Sequence, residues 1–168
     1  MIIAKAVSLD VDRIMEIVND AKTYLKSQGV NQWQDGYPNA ESFNEDIRND
    51  RLYVVRDNDL VVGVFALVTY EPTYDVVYDG SWSSDGDYVA VHRIAVASDR
   101  KGKGVARFIF DELKKEYPCI RVDTHRQNAS MNKCLLNNGF KCCGIIHLAR
   151  DSESDIIRLA YEYIKRND

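Results

Sequence analysis

The chain has 168 residues, 22 Lys and Arg against 26 Asp and Glu, and a formal net charge of −4 with its histidines neutral. With 45% hydrophobic and 29% charged residues, it reads as one globular domain spanning 1–168 that can bury its own core, which excludes a disordered chain. The acidic balance excludes a general binder of nucleic acid or of anionic membranes, since phosphate surfaces reward a basic face.

Ile2–Val7, IIAKAV, predicts a first strand. From Val11, apolar residues recur at Ile14, Met15, Val18 and Leu25 with helical spacing. Ser8 is placed to cap this helix, Asp10 and Asp12 favour its positive end, and Gly29 marks its stop. NQWQDGYPN, residues 31–39, predicts a polar and aromatic loop, with Asn39 capping a short helix that turns Phe43 and Ile47 inward. Residues 51–70 predict a hairpin turning at Asp57, Asn58 and Asp59. A polar insertion, residues 71–87, holds Tyr74, Tyr78 and Trp82, and its length suits a functional loop or lid.

A strand over Tyr88–Val96, a basic segment with two glycines, a helix over Lys103–Glu116 and a strand over Ile120–Thr124 come next. QNASMNKCLLNNGF, residues 127–140, predicts a short helix ended by Gly139. KCCGIIHL, residues 141–148, is expected to pair with IIRLAYEYI, residues 156–164, across a turn near Ser152 to Ser154. The order β-α-α-β-β-β-α-β-α-β-β, without internal repeat, predicts one mixed-sheet domain of α/β or α+β class. No apolar run is long enough to cross a bilayer, and MIIAKAVSLD lacks the apolar core of a signal peptide, so a cytoplasmic protein without membrane partners is expected. Cys119, Cys134, Cys142 and Cys143 show no C-x-x-C spacing and read as reduced packing thiols, with the adjacent pair on opposite faces of a strand. Neither they nor His92, His125 and His147 have metal-ligand spacing, so no metal is expected.

The basic segment Arg100, Lys101, Gly102, Lys103, Gly104 interrupts a strand-to-helix junction. Glycines there let backbone N–H groups converge, and the first helical turn adds free N–H groups and the positive end of a dipole. The combination makes a nest for an anion, with Arg100, Lys101, Lys103 and Arg107 as surrounding charge, and suits a di- or triphosphorylated ligand. The plainer reading is a glycine turn with solvated lysines. A Walker loop is absent, and the Rossmann fingerprint fails because Arg107 stands at its third glycine.

Lys101-Gly102-Lys103-Gly104-Val105-Ala106 resembles the [Q/R]-x-x-G-x-[G/A] coenzyme A loop of the GCN5-related N-acetyltransferase (GNAT) superfamily. His92–Val96 before it, Asn128 to Met131 after it and the closing Asn137 to Phe140 stand where that family leads one to expect them. More narrowly, NQWQDGYPN, HRIAV, IRVDTH and NGFKCCGIIHL resemble a group of small bacterial acetyltransferases of unassigned acceptor. The resemblance implies the acyl-CoA N-acyltransferase fold, a single mixed and mostly antiparallel sheet flanked by helices. It implies acetyl-CoA as cosubstrate and an amine acceptor, either a small cationic amine or a peptide amine. It also allows a homodimer. The pantetheine arm would run along Ile94, Ala95 and Val96, the pyrophosphate would meet Lys101, Gly102, Lys103, Gly104, Val105 and Ala106, and Asn128 would touch the arm. Lys101 departs from the usual Gln or Arg.

The tyrosine that serves as acid in many members is replaced here by Leu135. Cys134, His125 or another tyrosine could take over, or the thiolate could leave unprotonated, its pKa lying near 8.5. His92 is the first candidate base, since it lies on the cofactor strand and imidazole suits proton transfer, with His125 the second. By strand alternation His92 would share a face with Tyr88, Ala90 and Ile94, and it could equally be a core histidine. Gln32, Trp33, Asp35 and Tyr37 lie in the loop that the resemblance places over the acceptor. The acidic insertion, with Glu71, Asp75, Asp79, Asp85 and Asp87, suits either a cationic amine or plain solvation. The Leu135 substitution also leaves room for a non-catalytic CoA-binding sensor or interaction module on the same fold. A phosphate-binding fold outside the superfamily is the third reading.

Overall fold

In the computed structural model, which describes residues 1–149 and 155–166, seven strands form one sheet and four helices cover it. The elements are β1 (Ile2–Lys5), α1 (Val11–Ser27), α2 (Ala40–Arg48), β2 (Leu52–Asp57), β3 (Leu60–Val68), β4 (Val89–Val96), α3 (Val105–Glu116), β5 (Cys119–Thr124), α4 (Ala129–Asn137), β6 (Lys141–His147) and β7 (Ile157–Ile164). Their order is the expected one. The turn near Ser152 to Ser154 lies outside the described residues.

The sheet order is β1-β2-β3-β4-β5-β7-β6, antiparallel throughout except for β4 and β5. That parallel pair is short, with Val89 opposite Ile120 and Ala90 opposite Arg121, after which the strands part. The gap that opens beyond Ala90 is where the functional site lies.

Each face of the sheet has its own core. α1 and α2 bring Ile14, Ile17, Val18 and Phe43 onto Val54, Val64 and Ala66. α3 and α4 bring Val105, Ile109, Phe110 and Leu135 onto Phe65, Val91, Ile120 and Val122 on the other side. The insertion covers a third patch, packing Tyr74 and Trp82 on Ala90, Ile146 and Ala160, where neither α1 nor α2 reaches. It is locked down by Arg121, whose guanidinium lies 4.2 Å from the rings of both Trp82 and Tyr88 and 3.0 Å from buried Glu162. Tyr78 extends the cover to the outer edge of β6, exchanging backbone hydrogen bonds of 2.8 and 2.9 Å with Ile145. Insertion and β6 approach closely at Gly80 and Gly144, where any side chain would collide with backbone.

Asn39 caps α2 as expected, its side chain accepting from Ser42 N–H at 3.0 Å. Ser8 does not cap α1, because Ser8–Asp10 forms a single 3-10 turn that moves the helix start on to Val11. Asp10 ends that turn, and its carboxylate accepts from Val7 N–H and from Arg56. Cys142 is exposed and Cys143 half-buried, consistent with opposite faces, and all four cysteines are free thiols.

Candidate active site

A cavity of about 870 Å³ occupies the gap between β4 and β5. One end is made of backbone. Gly102 and Gly104 adopt the left-handed φ values of 72° and 83° that glycine tolerates, and no other atom lies within 4 Å of where their Cβ would stand. Phe108 N–H is the first to close on a carbonyl of this turn, that of Gly104, so the N–H groups of Val105, Ala106 and Arg107 head the helix without intrahelical partners. Lys101, Gly102, Gly104, Val105 and Ala106 all line the cavity at this end, whereas Lys103 does not.

Three cations of the basic segment, Arg100, Lys101 and Arg107, border the cavity, and each also has a partner within the protein. Arg100 pairs with Asp57 at 2.6 Å, and Arg107 lies 3.4 Å from Asp111. Lys101 stacks over the Tyr24 ring at 3.7 Å, and partial burial lowers its pKa against the opposing pull of Asp20. The nest therefore combines main-chain N–H groups and the helix dipole with Arg100, Lys101 and Arg107 at its border, a donor set that fits a pyrophosphate. Ile94, Ala95 and Val96 line the wall leading away from it, and Asn128 lies opposite. Asn128 caps α4, accepting from Met131 N–H at 3.1 Å, while its amide donates to Gln32 at 3.0 Å.

The other end is made of side chains. His92 is the hub, with Nε2 3.0 Å from Glu71 Oε2 and Nδ1 3.8 Å from Asp123 Oδ2. The Glu71 oxygen lies out of line for a directed hydrogen bond to the ring nitrogen, and the contact becomes an ion pair only when His92 carries a proton on both nitrogens. Burial pushes the Glu71 carboxyl up, but His92, together with the Thr73 N–H and hydroxyl, outweighs it and holds the group down at about 2. Asp123 is fixed by the buried Tyr74 hydroxyl, which donates to it at 2.7 Å. Burial and the adjacent Asp123 carboxylate hold that phenol protonated, well above its usual range.

A bulge sets which way His92 points. His92 pairs with Ala66 and Ala95 with Val64, which leaves Arg93 and Ile94 together opposite the single residue Phe65. Arg93 takes a left-handed φ of 52° to make this possible. His92 keeps the face of Tyr88 and Ala90, where it meets Tyr74, but Ile94 turns to the α3 side. The expected shared face of His92 and Ile94 is thus corrected: the extra residue inverts the alternation, giving imidazole and cofactor wall separate sides of one strand.

Of the other candidates, Gln32, Trp33 and Tyr37 line the cavity, while Asp35 sits at the surface accepting from Tyr37 N–H at 3.2 Å. His125 is fully buried and does not line the cavity. Its Nδ1 accepts from Gln127 N–H at 3.1 Å and its Nε2 faces Asp155 at 2.8 Å, so both ring nitrogens are engaged away from the site. Cys134 lines the cavity, with burial raising its thiol pKa and the Asn138 amide opposing that shift. Leu135 is fully buried in the α3 and α4 core and presents nothing to the cavity. Of the five acidic residues in the insertion Glu71 lines the cavity, beside Thr73, while Asp75, Asp79, Asp85 and Asp87 are exposed.

Asp123 escaped the sequence reading, although a signal was visible. Arg121 and Asp123 put opposite charges on one face of the apolar strand β5, and buried charges require partners. Arg121 found Glu162, and Asp123 found Tyr74 and His92. Among the described residues no group of His, Cys, Asp and Glu could hold a metal ion, and no helix is long and apolar enough to cross a membrane.

The sequence model of the acetyltransferase (GNAT) family matches residues 11–140, which hold the glycine nest and the Glu71, His92 and Asp123 recess. The chain belongs to the GNAT acetyltransferase family. It is an N-acetyltransferase, in a family that generally uses acetyl-CoA. A GNAT-family acetyltransferase from Streptococcus agalactiae 2603 is 31% identical, with 99% of this chain and 96% of that one covered at a TM-score of 0.89. A GNAT-family acetyltransferase from Listeria monocytogenes 4b F2365 is 18% identical, covering 97% and 94% of the two chains at a TM-score of 0.68. A ribosomal-protein-alanine N-acetyltransferase from Brucella melitensis is 18% identical, covering 98% and 99% at 0.66, a likeness that carries the fold alone. Among curated proteins, none matches the chain.

Proposed function

We propose that this GNAT enzyme transfers an acetyl group from acetyl-CoA to a cationic primary amine, with His92 as the general base. The observation that carries the reading is the division of one cavity into a backbone anion nest and a recess where Glu71 and Asp123 flank His92. Acetyl-CoA, when bound, supplies the activated thioester. Lys101 to Ala106 would hold its pyrophosphate, Ile94 to Val96 its pantetheine arm, and Asn128 the far side of that arm.

The recess does the remaining work. An alkylammonium, with a pKa near 10.4, must lose a proton before it can attack. Glu71 and Asp123 draw the cation in, and they also stabilise the positive charge that His92 acquires when it takes that proton. With Nε2–H set beside Glu71, Nδ1 is the nitrogen left to accept. Tyr37 and Gln32 would confine the amine from above, and binding both reactants in one cavity supplies proximity. The leaving thiolate, with a pKa near 8.5, needs no strong acid, which accords with Leu135 in the core; the protonated Cys134 thiol is the nearest candidate donor.

The test is release of CoA thiol from acetyl-CoA against polyamines, amino acids, aminoglycosides and peptide N-termini, with a no-acceptor control for the four protein thiols. Turnover confined to acceptors bearing a second positive charge is expected. Acetyl-CoA binding without turnover on any amine would instead favour a non-catalytic CoA-binding module.

A further inference from the structure

We propose that Arg93 is a positioning residue for the amine acceptor, pinning the loop of residues 31–39 across the gap between β4 and β5. The inference rests on the reading that the amine enters beside His92 beneath that loop. Among the described residues, Arg93 is the one non-glycine inside a strand with a positive φ, a conformation better suited to Gly, Asn or Asp. An arginine there is expensive unless its side chain does something that a glycine could not.

What it does is visible in its contacts. The guanidinium fork takes both oxygens of Asp46, at 2.7 and 2.9 Å, and also donates to the Tyr37 hydroxyl. Asp46 is buried on α2, the helix that follows the loop directly. Arg93 therefore grips the carboxyl end of the loop from β4. At the other end Gln32 accepts from Asn128 at 3.0 Å, with the Thr124 hydroxyl at 3.5 Å, so this part is held from β5 and α4.

Between those two anchors the loop crosses over the cavity that Gln32, Trp33 and Tyr37 line. Lys22 donates to Pro38 O at 2.6 Å, and Gln34 donates to Lys22 O at 3.0 Å. These ties fasten the loop to α1 but do not fix it over the gap. Arg93 is the link between the bulge that aims His92 and the loop that confines what His92 acts on. Its fork is occupied by Asp46 and Tyr37, so it works through the loop. Lysine cannot replace it, because an ammonium does not hold a carboxylate bidentately while also reaching a phenol.

Hydrogen exchange of the full chain read by mass spectrometry, with acetyl-CoA affinity and acceptor kinetics, tests the proposal in Arg93→Lys, Arg93→Gly and Tyr37→Phe. Arg93→Gly relieves the backbone but removes the fork, and Tyr37→Phe removes the hydroxyl to which the fork donates, so the set survives the failure of one variant to fold. The expected result is at least fivefold faster exchange over residues 31–39 in both Arg93 variants, with β3 and α3 unchanged. Acetyl-CoA affinity should stay within twofold, and KM for the amine should rise about tenfold with a smaller change in kcat. Unchanged exchange over 31–39 would overturn the proposal, as would faster exchange spread equally through β3 and α3. If the wild-type enzyme acetylates no amine tested, the proposed function fails, and the exchange result still decides the role of Arg93.

Discussion

The two ends of the cavity are built from different parts of the chain. At the nest, the free donors are the backbone N–H groups of Val105, Ala106 and Arg107 at the head of α3, and the neighbouring Arg100 and Lys101 side chains are engaged with Asp57 and Tyr24. At the recess, the polar groups are side chains brought from separate elements, with Glu71 in the insertion, His92 on β4 and Asp123 on β5. If the nest holds the cofactor as proposed, a site that draws on main-chain N–H groups would tolerate a change such as Lys101 for Gln or Arg. A recess built from side chains can be retuned residue by residue.

The difference can be broken most sharply at Gly104. Glu in its place forces a side chain into a left-handed backbone and sets a carboxylate in the nest, so acetyl-CoA affinity should fall by more than 100-fold. Calorimetric titration measures this, with thermal melting as the control for folding. Unchanged affinity in a folded variant would move the phosphates elsewhere.

At the opposite end, His92→Gln should lower kcat by about 10²–10³-fold while acetyl-CoA affinity is kept, the range expected for loss of a general base. The acid limb of the pH–rate profile should vanish with it. A profile of unchanged shape would return His92 to a packing role.

Glu71→Gln should have a smaller effect, about tenfold in kcat/KM, and mostly for cationic acceptors. Its stability signature has a defined sign. The folded carboxyl lies at about 2 against an ordinary 4.5, so it stabilises the fold fully above 4.5, and that contribution fades as the pH falls towards about 2. Urea unfolding of wild type and Glu71→Gln should therefore differ at pH 7 and converge near pH 2. Smallest of all, Cys134→Ala should alter kcat less than about threefold, since thiolate departure needs little help. A loss above 30-fold in single-turnover kinetics would make Cys134 the acid.

What could be read in the sequence follows the same division. The nest was legible because glycines, helix start and cationic residues adjoin one another between Arg100 and Arg107. Strand and helix order was legible because each element carries its own periodicity, and the Asn39 cap because it is local. The recess was legible only in part: His92 stood out on its strand, but Glu71 was one of five acidic residues in an insertion and gave no sign that it alone turns inward. The Arg93 bulge was hidden, since nothing in HRIAV marks a left-handed arginine, and its partners lie 47 and 56 residues away. Backbone sites are written locally, whereas side-chain sites are written in tertiary contacts.

The strip of insertion that pairs with β6 has a consequence unrelated to catalysis. A sheet with a bare flank is a template on which a stray chain can add a strand. Tyr78 occupies that template at Ile145, and the close contacts of Gly80 with Cys143 O and of Gly144 with Tyr78 O show how tightly the plug is seated. Replacing either glycine should unseat it and expose the β6 edge to self-association, so the insertion that brings Glu71 to the cavity also covers that edge of the sheet.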